Sequence, residues 1–150
     1  MKQAMEHPNL MPRRNLKYPH LLPPDVPVWE RFLAERATRY STIDYDIRVG
    51  RGRPAEDHHT DNMKKMALDL SMRRIDAVAE TDDYIDIIEV TNLADLKAIG
   101  QLIAYPILYI QSFNPSKPVR SLLVAARLNT DIRPVLISHN LKFYLTGEVT

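Results

Sequence analysis

The stretch "SLLVAARL", residues 121–128, does most to limit what this chain can fold into. A run of strand length that is apolar almost throughout cannot leave one face in water. It reads as an inner strand covered on both faces. The covers are predicted as helices. "VWERFLAERATRY", 28–40, places Trp29, Phe32, Leu33, Ala37 and Tyr40 on one stripe at helical spacing. "NLADLKAIGQLIAYPILYIQSF", 92–113, is a second helix, with Asn92 as its N-cap, Asp95 in its first turn and Pro106 expected to kink or interrupt it near its middle. "YDIRVG", 45–50, alternates as a half-buried strand, and strands are expected at about 73–80 and 84–91. "DIRPVLISHN" reads as a short helix and "KFYLTG" as a final strand, while "MKKMALDLS", 63–71, fits either a short helix or a loop. Helix, three strands, helix, strand, helix, strand is the order of an α/β three-layer sandwich with a central mixed sheet.

Residues 1–28 hold six of the 11 prolines, which rules out a helix or an inner strand there. They are expected to form an extended basic arm that stays mobile alone or lies along a partner, with the domain proper at 29–150. At 150 residues and 45% apolar content the chain suits one domain with one core. No cysteine is present, so neither disulfides nor zinc thiolates are available. The apolar runs are too short to span a bilayer, and residues 1–20 lack the apolar stretch of a signal peptide, so no membrane partner and an intracellular location are expected. Charge is uneven. Residues 75–100 carry seven acidic side chains against one lysine, between basic flanks. A cation site beside a surface for an anionic polymer would account for this, as would ordinary scatter.

The acidic centre contains "RRIDAVAETDDYIDIIEVT", 73–91. As a hairpin turning at Asp82-Asp83, it places Asp76 directly opposite Glu89, and Arg74 opposite Thr91. Like charges paired across a sheet repel. A shared proton, a cationic side chain such as Arg74, or a metal must offset them. Two carboxylates with room for water suit magnesium. Lys97, Gln101 and Tyr105 form a polar stripe on the helix that follows, which can be aimed back at the acids or at solvent. Elsewhere, "EDHHTD" at 56–61 could bind zinc or manganese but reads rather as a polar loop. "RGR" at 51–53 with Lys64 and Lys65 could contact phosphates or serve solubility. No GxSxG, Walker or GxGxxG pattern occurs.

"WERFLAE", "RIDAVA", "IIEVT" and "AIGQLIAY", in this order, resemble the PD-(D/E)XK nuclease-like superfamily over about residues 28–128. The tone of the sequence is similar to small bacteriophage-encoded members. The resemblance implies an αβββαβ restriction-endonuclease-like core and phosphodiester hydrolysis with magnesium or manganese. It implies Asp76, Glu89 and the Val90 carbonyl as metal ligands, Glu30 as the helical acid, and Gln101 as a supporting group. The superfamily's lysine would stand at Thr91. Lys97, migrated to the following helix, or Arg74 would have to replace it, although arginine stays protonated and cannot act as a base. Two functions are therefore expected. One is a metal-dependent nuclease with DNA as partner. The other is an inactive virion assembly protein, at the neck or tail, that docks on phage structural proteins through its arm. Host cytoplasm or virion would be the location.

Overall fold

The computed structural model describes residues 18–52 and 59–147. Helix α1 spans Val26–Arg36 and runs into a single 3-10 turn at Ala37–Arg39. The expected stripe of Trp29, Phe32, Leu33, Ala37 and Tyr40 is buried. Packing begins before position 29, however. Tyr18 is buried in the same cluster, and Leu21 and Val26 pack against it. Residues 18–28 thus belong to the packed domain, and the remainder of the expected arm, with its docking role, lies outside the described residues.

Five strands follow: β1 (Thr42–Val49), β2 (Arg73–Glu80), β3 (Ile85–Ala94), β4 (Val119–Leu128) and β5 (Lys142–Leu145). They form one sheet in the order β1-β2-β3-β4-β5. The first three run antiparallel, whereas β3, β4 and β5 are parallel, so the sheet is mixed. Helix α2 (Asp61–Ser71) lies between β1 and β2, α3 (Leu96–Phe113) between β3 and β4, and α4 (Arg133–Ser138) between β4 and β5. The stretch 63–71 is therefore helical. Thr60, from the polar loop, caps α2 by accepting the Met63 N–H.

Both sheet faces are covered. On one, Trp29, Phe32 and Leu33 of α1 pack with Ala77, Ala79, Ile88, Val90, Val124 and Ala126. On the other, Leu102 of α3 packs with Leu123 and Ala125, while Tyr105 and Tyr109 pack with Val78 and Ile87. β4 supplies Leu123 and Ala125 to one layer and Val124 and Ala126 to the other, as expected of an apolar inner strand. The fold is the three-layer α/β sandwich expected from the sequence.

Two local expectations change. Asn92 does not cap α3, because β3 continues to Ala94. Asp95 is the cap and accepts the Lys97 N–H at 3.0 Å. Pro106 does not interrupt α3, which runs for 18 residues through it. The proline removes only one donor, and the buried Leu102, Tyr105 and Tyr109 anchor the helix on both sides of the gap.

Candidate active site

The hairpin register is the one the sequence predicts. Glu80 faces Ile85, Ala79 faces Asp86, Val78 faces Ile87 and Ala77 faces Ile88. Regular pairing ends there, one step before Asp76 and Glu89. At that level the Asp76 carboxylate, through Oδ2, accepts the Val90 N–H at 2.8 Å. A side chain thus occupies a backbone donor of the neighbouring strand, which ties Asp76 to β3 where the ladder stops.

The same level is disturbed on the other side. Asp46 in β1 has φ of 55°, a left-handed conformation inside a strand. Pairing of β1 with β2 skips it, running from Tyr45 opposite Ala77 to Ile47 opposite Ile75. As a result the strand turns over. Ile43 packs on the α1 side of the sheet with Tyr45 against it, whereas Val49 packs on the α3 side with Ile47 against it. The uniform alternation expected for "YDIRVG" fails for this reason. Asp46 instead holds Arg74 in a two-pronged ion pair, at 2.6 and 2.7 Å. Arg74 is therefore engaged by Asp46 and does not line the acid cleft.

Asp76 and Glu89 are both buried. They line a cleft of about 340 Å³ together with Val90, Thr91, Lys97 and Gln101, and with two residues that the sequence did not single out, His20 and Asp25. Burial raises the Glu89 carboxyl, and the negative charge of Asp76 beside it raises it further. Burial raises Asp76 as well, but the Val90 N–H and the contact with Glu89 favour its ionised form. Both carboxyls are raised, Glu89 the more, so the pair favours retaining a proton, which eases the repulsion that the sequence posed. Oε1 of Glu89 is buried and has no hydrogen-bond partner among the described residues. An orphaned carboxyl oxygen beside an ionised carboxylate is a place for a hard cation. Among the described residues no three His, Cys, Asp or Glu side chains gather into a metal cage, so such a cation would keep several waters.

Glu30 does not line the cleft. The acid delivered from the α1 end is Asp25, in the 3-10 turn Pro23–Asp25 just before α1. Asp25 is buried, and burial raises its carboxyl. It holds the N-cap position of α1 yet makes no capping bond. Its Oδ1 accepts the Asn92 N–H from β3 at 2.8 Å. The sequence hides this, since an aspartate after "PP" and before a helix reads as a cap.

His20 arrives by a type II turn. Pro19 sits at its second position, His20 at its third with φ of 73°, and the Leu21 N–H bonds the Tyr18 carbonyl. Its Nε2 stands 3.8 Å from Asp76 Oδ1. Burial, followed by the charge of Arg74, lowers the His20 pKa and favours the neutral ring. Lys97 lies close enough to favour ionisation of Glu89. Gln101 donates to the Tyr105 hydroxyl at 3.5 Å. Thr91, at the position where the resemblance expects lysine, donates its hydroxyl to the Leu93 carbonyl of its own strand.

No protein-family profile matches the chain, and no curated protein matches it. Among solved structures it is similar to the crystal structure of a repair endonuclease from Pyrococcus abyssi, at 20% sequence identity and a TM-score of 0.41. That alignment covers 69% of this chain and 39% of the endonuclease, so the chain spans about two fifths of that structure's length.

Proposed function

We propose that this protein is a metal-dependent nuclease that hydrolyses DNA phosphodiester bonds at the Asp76–Glu89 cleft. The observation that carries the reading is the buried Asp76–Glu89 carboxyl pair, with one Glu89 oxygen unpartnered among the described residues, lining an open cleft. A sheet gains nothing from such a pair, since burying two carboxyls raises both and leaves one oxygen unpartnered. A divalent cation, magnesium or manganese, would be held by Asp76, Glu89 and the Val90 carbonyl. When bound it supplies charge that lowers the pKa of a water and offsets charge on the phosphate oxygens.

The chain's own groups have distinct parts. The Val90 N–H holds Asp76 in place. Lys97 brings the positive charge that Thr91 cannot supply, to the same cleft. Gln101, steadied by Tyr105, offers an amide to a phosphate or a water. Neutral His20, beside Asp76, can accept a proton. Asp25 joins the start of α1 to the end of β3 and closes one wall.

A second reading, a non-catalytic assembly protein of the same fold, draws on Thr91 being bonded within its own strand and Arg74 being engaged by Asp46. Nothing in the structure or in the similar proteins bears on a phage, neck or tail setting. One experiment separates the readings. The protein is incubated with linear, nicked and branched DNA and magnesium or manganese, beside Asp76→Ala, Glu89→Ala, Lys97→Ala and His20→Ala. Cleavage lost in both carboxylate variants is the expected result, with Lys97→Ala reduced at least tenfold. Absence of cleavage, together with absence of calorimetric metal binding, would falsify the nuclease reading.

A further inference from the structure

Helix α3 is apolar on two sides. One side is the core side already described. On the other, Leu96, Ile103, Ile107 and Ile110 are 70%, 45%, 54% and 46% exposed. With Gly100 these positions follow the alternating spacing of four and three residues that keeps a seam on one line of a helix. After Lys97 the helix contains no charged residue at all. No helix among the described residues is long and apolar enough to cross a membrane.

Gly100 is the telling position. Glycine inside a helix costs about 1 kcal/mol relative to alanine, and here no contact among the described residues requires it. A Cβ on Gly100 would meet no atom within 4 Å. The room above it is unused among the described residues.

We infer that α3 is the interface of a homodimer, in which two copies of this helix pack antiparallel across a two-fold axis near Ile103. The seam selects a second copy of itself. Read in opposite directions, Leu96 meets Ile110, Ile103 meets its own mate, and Ile107 meets Gly100, so the bulkiest mismatch falls where a glycine leaves space. The contact is isologous, as dimer symmetry requires. The stripe and its flanks offer on the order of 600 Å² per copy, the lower end of specific interfaces. Dimerisation is therefore expected at micromolar concentrations. The two acid clefts, each at the Lys97 end of α3, would open at opposite ends of the seam, roughly 18 Å apart along the helix direction.

Sedimentation of the full chain at tens of micromolar should give a dimer. Ile107→Lys should be monomeric with an unchanged circular-dichroism spectrum. Gly100→Leu, whose side chain enters open space in a single copy, should keep the fold and weaken dimerisation at least tenfold. The chain has no cysteine, so geometry is tested separately. Ile103→Cys should cross-link to itself under mild oxidation, and Leu96→Cys should not. A monomeric wild type, or a dimer indifferent to both Ile107→Lys and Gly100→Leu, overturns the proposal. Equal cross-linking of Ile103→Cys and Leu96→Cys overturns the antiparallel arrangement. These readouts are independent of DNA cleavage and of metal.

Discussion

The Glu89 carboxyl is raised because burial and the neighbouring Asp76 charge both act against its ionised form. That has a consequence for stability with a definite sign. The folded state keeps the proton after the unfolded chain has released it, so the contribution is full below the ordinary glutamate pKa of about 4.3 and is lost as pH rises above it. Glu89→Gln preserves size and can still donate to Asp76, but has no charge to suppress. In metal-free buffer the variant should therefore be more stable than wild type by about 1–3 kcal/mol at alkaline pH, and no more stable at pH ~4. Denaturant melts at the two pH values measure it. Equal stability of the two proteins at both would mean that the pair is not strained. Asp25 and His20 belong to the same scale. One gives up a helix cap and the other takes a left-handed backbone, and each ends at the cleft. Local rules broken at several residues around one cavity are the usual mark of a site rather than of a scaffold.

β1 and β2 show how an element accommodates such a site. Regular alternation would keep Tyr45, Ile47 and Val49 on one face. The left-handed turn at Asp46 sends Tyr45 to one layer and Val49 to the other, and the Arg74 pair holds that aspartate in place. The usual ranking of substitutions in a strand should then be reversed. Glycine weakens a strand interior relative to alanine, but at φ of 55° it carries no Cβ penalty. Both Asp46→Gly and Asp46→Ala lose the ion pair, so their difference isolates the backbone. Asp46→Gly should be the more stable by about 1 kcal/mol. Alanine as the better residue would show that β1 does not turn over there. This feature was not legible in the sequence, because aspartate inside "YDIRVG" looks like an ordinary outward polar residue. The hairpin register was legible, since a symmetric even turn at Asp82-Asp83 fixes the sum of paired positions.

At the scale of the whole molecule, periodicity was enough to place α1, α3 and β4 and so to define three layers. It could not reach contacts made across long separations. Asp25 meets Asn92 across 67 positions. Asp86, buried with the Tyr40 hydroxyl and Arg120, draws its partners from α1's exit and from β4. No local pattern announces such pairs, whereas Asp76 and Glu89 were found because their partnership is a short hairpin's geometry. The site is also where global stability and function should be linked most directly. A ligand that binds only the folded state stabilises it by about 2.7 kcal/mol at a hundredfold excess over its dissociation constant. For a domain of this size that corresponds to a rise in melting temperature of roughly 5–10 °C. Magnesium or manganese should produce such a rise in wild type, while sodium at equal ionic strength should not. Asp76→Asn and Glu89→Gln should abolish it, although Glu89→Gln begins from the higher metal-free melting temperature. If wild type shows no metal-dependent rise while Glu89→Gln is still the more stable at alkaline pH, the carboxyl pair is strained but holds no cation. The non-catalytic reading would then be the one left standing.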